Sequence, residues 1–334
     1  MNRCVRILLL LSWVLSLKGA SFAWGCSGHE IVAIIAERQL SDVAAQKVEA
    51  LLKNPGLYVN KKPFRFCSPR TYNLTDPSEL GLMAFYATWA DDYRDKDRTT
   101  APWHFWDVPI SLTTDPDLPQ FCDQGCVVKT LQDQINILGS STATKKARAK
   151  ALAFIIHFVG DLHQPLHIAN NNDRGGNCVP VTFFGTEPQI SGGGTKSTPN
   201  LHAIWDTNIP EKIGNIRRNT HDDDLTQYVD TLMSNFESDI PTWRSQPVNL
   251  RAWAIESHGH AVAEAYGALP TRIDAEDPVT VNQCTDDDDV LQRMLDLDET
   301  VSQKYVDTVR PVIEGQLARA GTRLAVILNQ TLHN

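Results

Sequence analysis

The chain has 334 residues, enough for one large domain or two. Hydrophobic residues make up 42% and charged residues 21%, an ordinary globular composition that excludes a disordered or fibrous chain. The formal net charge of −9 argues against a protein that grips duplex nucleic acid through a broad Lys/Arg face.

Arg3 and Arg6 precede an apolar run over 7–17, and the small-residue stretch Gly19-Ala20-Ser21-Phe22-Ala23 follows. This is the layout of a signal peptide over 1–23, and the run is too short to span a bilayer. Cleavage after Ala23 leaves a mature chain that starts at Trp24, with 311 residues and a net charge of −12 once Arg3, Arg6 and Lys18 are gone. No later stretch is apolar enough for a membrane helix, so the mature protein is expected to be soluble and exported, or periplasmic in a Gram-negative host. Cleavage also removes Cys4, leaving Cys26, Cys67, Cys122, Cys126, Cys178 and Cys284, enough for up to three disulfides in an oxidising compartment. Cys122 and Cys126 can close a short loop or hold a metal; the other four cannot be paired from sequence. Asn73-Leu74-Thr75 and Asn329-Gln330-Thr331 are glycosylation sequons, usable only in a eukaryotic host.

Helical periodicity dominates the mature chain. Ser41 reads as the N-cap of a helix over 43–52, with Asn54-Pro55 as its stop. A second helical pattern covers about 79–92. The strongest runs over 143–163, basic in its first half and apolar from Ala151, and Pro165 ends it. Others follow at about 203–213, 223–236, 250–266 and 299–328. Between them lie irregular stretches at 55–77, 94–120, 170–200 and 268–288, rich in Pro, Gly, Asn and Asp, and residues 191–195 read as a surface loop. The acidic runs at 222–224 and 286–289 read as solvated helix starts that a helix dipole favours, rather than calcium sites. With no repeat and no clear linker, the expectation is a mainly α, single-domain, multi-helix fold over 24–334 with long irregular loops and disulfides.

Six of the ten histidines (His29, His104, His157, His163, His167 and His202) lie before residue 203. His157/Asp161 and His202/Asp206 are both i, i+4 pairs. On a helix each pair faces one way and can hold one metal ion. One such pair reads equally as a capped or core histidine; two in an exported chain point to metal. At about 100° per residue, His163 falls roughly 240° from His157, away from Asp161. His167 lies beyond Pro165, where the turned chain can return, so His167 is expected to ligate and His163 to pack or support. At the mature start, the α-amine of Trp24 stands five residues ahead of His29. An α-amine has an ordinary pKa of about 8, so it loses its proton more cheaply than a lysine and can bind zinc together with the Trp24 carbonyl.

Trp-x-x-x-Gly-His at the mature start, Trp89-Ala90-Asp91, His104-Phe105-Trp106-Asp107, the block from His157 to His167, Gly175-Gly176-Asn177 and Asn200-Leu201-His202-Ala203-Ile204-Trp205-Asp206 occur in that order. As a set they resemble the zinc-dependent, single-strand-specific nuclease and 3′-nucleotidase family of fungi, plants, protozoa and some bacteria. The resemblance spans Trp24 to about Asn329 and implies a fold of the phospholipase C/single-strand nuclease superfamily.

It also implies three zinc ions. One would be held by Asp91, His104, His157 and Asp161; a second by His167, His202 and Asp206; the third by the Trp24 amine and carbonyl, His29 and the other oxygen of Asp161. Eleven donor contacts fall short of the roughly 12–15 that three ions take at four to five ligands each, which leaves positions for water and substrate. Asp91 is then expected to orient or deprotonate the attacking water, and Arg94 to neutralise phosphoryl charge, if it is not an ordinary salt-bridge residue. Phe105 is expected to stack on a base, Asp107 to accept from a base amino group, and Asn177 to contact the nucleotide. Substrates would be single-stranded DNA and RNA and mononucleotides, cleaved to leave 5′-phosphates by a monomer with no stable protein partner and no membrane. A zinc phospholipase C resembles the same scheme and is the rival enzyme; an exported zinc-storage protein is the non-enzyme rival. The chain departs from the pattern at Cys26, in the N-terminal ligand loop, and in the long glycine-rich stretch between His167 and His202.

Overall fold

The computed structural model describes residues 24–57, 80–112, 122, 125–190, 197–217, 219–271, 295–297 and 299–333. The proposed signal peptide, the sequon at Asn73, Cys67, Cys284, the loop at 191–195 and the acidic run at 286–289 lie outside these residues.

The described chain is mainly helical. It opens with α1 (Cys26–Glu37) and α2 (Asp42–Leu52), followed by a 3-10 turn at Pro55–Leu57. The Ser41 hydroxyl accepts from the Ala44 N–H (3.3 Å), as expected of an N-cap. The pattern read over 79–92 is two helices, α3 (Gly81–Tyr86) and α4 (Trp89–Lys96), and the stretch read as irregular after it holds a 3-10 helix, Arg98–His104. α5 (Val127–Gly139) precedes α6 (Lys145–His163), whose N-cap Thr144 accepts from the Ala147 N–H (3.1 Å). Pro165 does end α6, in a 3-10 turn over Pro165–His167.

Short strands β1 (Val181–Phe183), β2 (Gln189–Ile190) and β3 (Ser197–Thr198) follow. Next come α7 (Leu201–Ala203), a π turn (Ile204–Asn208) and α8 (Ile209–Ile213). α9 (His221–Asn235), α10 (Ile240–Ser245) and α11 (Leu250–His260, continued as a π turn over Ala261–Tyr266) lead to β4 (Leu295–Leu297) and the long α12 (Glu299–Thr331). Strand β1 pairs parallel with β4, and β2 antiparallel with β3.

Helix α6 is the hub. From Ala151 to His163 every residue is buried, so this stretch presents no solvent face, and α1, α5, α11 and α12 all pack on it. A helix buried all round can point polar groups inward only where something satisfies them, and α6 does so at its C-terminal end. There Asp161 and His157 face α1 and α4, while His163 turns the other way. The His163 Nδ1–H donates to Val159 O (2.8 Å) and its Nε2 accepts from Arg323 of α12 (2.9 Å). Arg323 is buried, pairs with Glu256 of α11 (3.0 Å) and covers the Trp253 ring. His163 therefore ties three helices together, away from His157 and Asp161, as its angular position implies.

Cys122 and Cys126 form a disulfide, which excludes the metal reading of that pair. Cys26 and Cys178 are also disulfide-bonded. The Asp222-Asp223-Asp224 run lies in the first turn of α9, the helix start read from sequence. The Asn329 amide is already in use, accepting from Ser41 N (2.8 Å) and donating to Gln39 O (3.0 Å), so a glycan there would displace a structural contact.

Candidate metal centre

Six segments deliver side chains to one buried region. Helix α1 brings His29 and α6 brings His157 and Asp161. Helix α4 brings Asp91 in its first turn, where the helix dipole favours an anion. The 3-10 helix after it ends on His104. The turn beyond Pro165 supplies His167, and the α7–π turn segment supplies His202 and Asp206. The π turn widens the helix at Asp206 yet leaves Asp206 Oδ2 3.2 Å from His202 Nε2.

These residues fall into three groups in which one donor atom from each lies close to the others: Asp91/His104/His157, His29/His157/Asp161 and His167/His202/Asp206. In the first, His104 Nδ1 stands 3.2 Å from His157 Nε2 and 3.8 Å from Asp91 Oδ1, and Asp91 Oδ2 is 3.8 Å from His157 Nε2. In the third, His202 Nε2 is 3.1 Å from His167 Nε2, which is 3.9 Å from Asp206 Oδ1. Donors bound at about 2.0–2.2 Å to one tetrahedral ion stand roughly 3.3–3.6 Å apart, so these spacings fit the edges of coordination shells. Asp161 joins the groups. Its Oδ2 lies 3.1 Å from His104 Nδ1 and 3.4 Å from His157 Nε2, and its Oδ1 lies 3.4 Å from His29 Nε2 and 4.0 Å from His167 Nδ1.

A cation fits this chemistry. Both ring nitrogens of His29, Asp161 Oδ1 and Asp91 Oδ2 are buried with no hydrogen-bond partner among the described residues. Such orphaned atoms carry a desolvation cost that a metal ion relieves. Burial pushes His29, His104 and His167 well below the ordinary imidazole range, lowers His157, and takes His202 down to about 4. The rings are thus neutral, the form that binds metal. Burial also raises Asp91, Asp161 and Asp206, because packed anions without a cation are unfavourable.

The backbone sets the tautomers. His157 Nδ1–H donates to Ala87 O (2.8 Å), His167 Nδ1–H to His104 O (2.8 Å) and His202 Nδ1–H to Gly175 O (2.7 Å), which leaves each Nε2 for metal. Sequence reasoning did not foresee these carbonyls. It also missed Gln164, whose amide donates to Asp206 Oδ1 (2.5 Å), although its place between His163 and Pro165 in the motif was a signal. Trp24 is fully buried, and Gly25 N–H donates to Asp206 O (2.6 Å), which holds the start of the described chain against the third group. Gly160 allows the close approach of α1: a Cβ there would lie 2.6 Å from His29 Nδ1.

Arg94 Nη1 lies 3.1 Å from Asp91 Oδ1 with its side chain largely covered, so it supports Asp91 directly rather than forming a surface salt bridge. Phe105, next to His104, is 37% exposed, one of the few large apolar side chains left to solvent among the described residues. Asp107 lies in the same segment, partly buried. Asn177 donates its side-chain amide to Arg174 O (2.8 Å), closing the turn that carries Gly175.

Over residues 24–333 the chain matches the family model for the S1/P1 nuclease. The chain belongs to the S1/P1 nuclease family. It is 30% identical to Nuclease S1 of Aspergillus oryzae, with 97% of both chains covered. It is 26% identical to Nuclease P1 of Penicillium citrinum, over 92% of this chain and 97% of that one. Endonuclease 2 of Arabidopsis thaliana is 24% identical, over 98% and 96%. The S1/P1 family has the phospholipase C-like architecture expected from sequence, and membership makes this chain a nuclease, a hydrolase of phosphodiester bonds, in place of the phospholipase C alternative. Among the described residues no helix is long and apolar enough to cross a membrane.

Proposed function

We propose that this S1/P1 nuclease is an exported, monomeric, single-domain enzyme over 24–334 that holds three zinc ions and cleaves single-stranded DNA and RNA to 5′-phosphorylated products. Removal of the 3′-phosphate from mononucleotides belongs to the same reading. The observation that carries it is the bridging position of Asp161, with one oxygen toward His104 and His157 and the other toward His29. Zinc is favoured over calcium or magnesium because the donor set is imidazole-rich, and hard cations take oxygen. The start of the family match at Trp24 supports removal of residues 1–23 and a role for the freed α-amine.

Residues Asp91, His104, His157 and Asp161 would hold one ion, His167, His202 and Asp206 a second, and Trp24, His29 and Asp161 the third. Bound zinc supplies Lewis acidity, making water a nucleophile near neutral pH and neutralising phosphoryl charge. The protein does the rest. Asp91, steadied by Arg94, orients the attacking water and takes up its proton. Phe105 offers its exposed ring to an unpaired base, and Asp107 accepts from the base amino group. Stacking of that kind requires a base outside a duplex, which supports the single-strand preference. Asn177 completes the rim.

Purified protein is expected to cleave single-stranded DNA, to lose that activity with a chelator, and to regain it with zinc. His157→Ala removes a donor shared by two groups and should abolish cleavage. Full activity in the chelator or in the variant sinks the reading.

A further inference from the structure

Between His167 and His202 the chain makes a turn whose Arg174 side chain has no part in the site described above. Asn172 (φ 56°) and Arg174 (φ 57°) both sit in the left-handed region ahead of Gly175 and Gly176, an unfavourable backbone for an arginine. The turn is held rigidly. Asp173 accepts from the Tyr266 hydroxyl with both carboxylate oxygens (3.0 Å each) and from Gly176 N–H (2.9 Å), and Asp173 O accepts from Cys178 N–H. Asn170 Oδ1 accepts from Arg174 N–H (3.2 Å), and Asn177 closes the other side. Asn170 also pairs with the base-binding segment, its N–H donating to Val108 O and its carbonyl accepting from Ile110 N–H. The turn is thus stitched to the strand of chain that carries Phe105 and Asp107.

The turn has two outputs. Gly175 O orients His202, and the Arg174 side chain is presented to solvent beside it. No carboxylate pairs with the Arg174 guanidinium among the described residues, in a chain with nine more acidic than basic charges. An exposed, unpaired arginine on a rigid left-handed turn, beside a buried cation centre and joined to an exposed aromatic ring, has the chemistry of an anion contact.

We propose that Arg174 binds a backbone phosphate of the polynucleotide next to the one being cleaved, so that it selects chains over mononucleotides. This rests on the nuclease reading above and adds a residue to it.

The test uses Arg174→Ala and Arg174→Gly in the full mature enzyme, because glycine adopts the turn's backbone without strain and isolates the guanidinium from the conformation. KM and its salt dependence are measured on a single-stranded DNA decamer and on a 3′-mononucleotide. Both variants should raise KM for the decamer about fivefold to tenfold, with a threefold or smaller change in kcat. Their KM change on the mononucleotide should be less than a third of that. The slope of log(1/KM) against log salt on the decamer should fall by about 0.7, the value for one phosphate contact on a single strand. Equal KM effects on both substrates, no KM effect, or a defect in Arg174→Ala that Arg174→Gly lacks overturns the proposal. A wild-type enzyme that fails to cleave the decamer overturns the nuclease reading itself, and the Arg174 proposal with it.

Discussion

Replacing Gly160 by alanine adds one methyl group to a helix interior and sets two effects against each other. Helix propensity favours the change by about 1 kcal/mol. The new Cβ, however, would lie 2.6 Å from His29 Nδ1 and 2.9 Å from its Cε1, in a position where neither group has room, because both residues are fully buried. Overpacking of that kind costs about 1–3 kcal/mol. The balance is a loss of at most about 2 kcal/mol, and the melting temperature should move by no more than about 5 °C. Function responds differently. To relieve a contact that short, the imidazole must withdraw by several tenths of an ångström, and the only ion-pair neighbour it has to leave among the described residues is Asp161 Oδ1, at 3.4 Å. A displacement approaching 1 Å at a reacting centre costs on the order of 100-fold. Gly160→Ala should therefore stay folded, lose about one zinc ion per chain by mass spectrometry, and lose about 100-fold in kcat/KM on single-stranded DNA. A variant with full zinc content and kcat/KM within threefold of wild type would refute the assignment of His29.

Further outcomes follow from other contacts. Burial lifts the Glu37 carboxyl to about 7 at the start of α3, so its contribution to stability is complete below its unfolded value and is lost as pH rises to about 7. That is up to about 3 kcal/mol. Glu37→Gln should flatten the fall in melting temperature between pH 5 and pH 8, and an unaltered slope would contradict this. Arg323→Leu strips His163 and Glu256 of their shared cation and should cost about 2–4 kcal/mol in urea unfolding; a loss below 1 kcal/mol would show the three-helix tie to be weak. Tyr266→Phe removes the hydroxyl that steadies Asp173 and should lower stability by about 1.5–3 kcal/mol while raising KM on single-stranded DNA, whereas an unchanged KM would separate the turn from the site. One extra residue ahead of Trp24 should lower zinc content and activity; unchanged values would remove the α-amine from the donor set.

Helix periodicity makes part of this site legible in the amino-acid sequence. His157/Asp161 and His202/Asp206 face inward together because residues four apart share a helix face, and His163 separates from them on angle alone. The turn after Pro165 does return His167 to the centre. What periodicity cannot show is how Asp91 and His104, on separate short elements, meet α6, or how the two oxygens of Asp161 divide between neighbours. Nor does it show the carbonyls of Ala87, His104 and Gly175, since backbone acceptors carry no residue signature. Helices α1 and α5 escape a reading by pattern for physical reasons. The run Ile31-Val32-Ala33-Ile34-Ile35 is apolar on every side, so a buried helix and a buried strand look alike there. Helix α5 starts after Cys126 without a side-chain cap and opens on two valines, which carry a strand-like local preference. The break between α3 and α4 falls at Ala87-Thr88, where no proline or glycine marks it.

The most direct measurement is anomalous scattering at the zinc edge from crystals of the mature protein. Three peaks are expected: one among Asp91, His104, His157 and Asp161, one among His167, His202 and Asp206, and one beside His29 and Asp161. Each should lie about 2.0–2.2 Å from its protein donors. Peaks elsewhere, or no zinc signal in protein that still cleaves single-stranded DNA, would contradict a zinc centre bridged by Asp161.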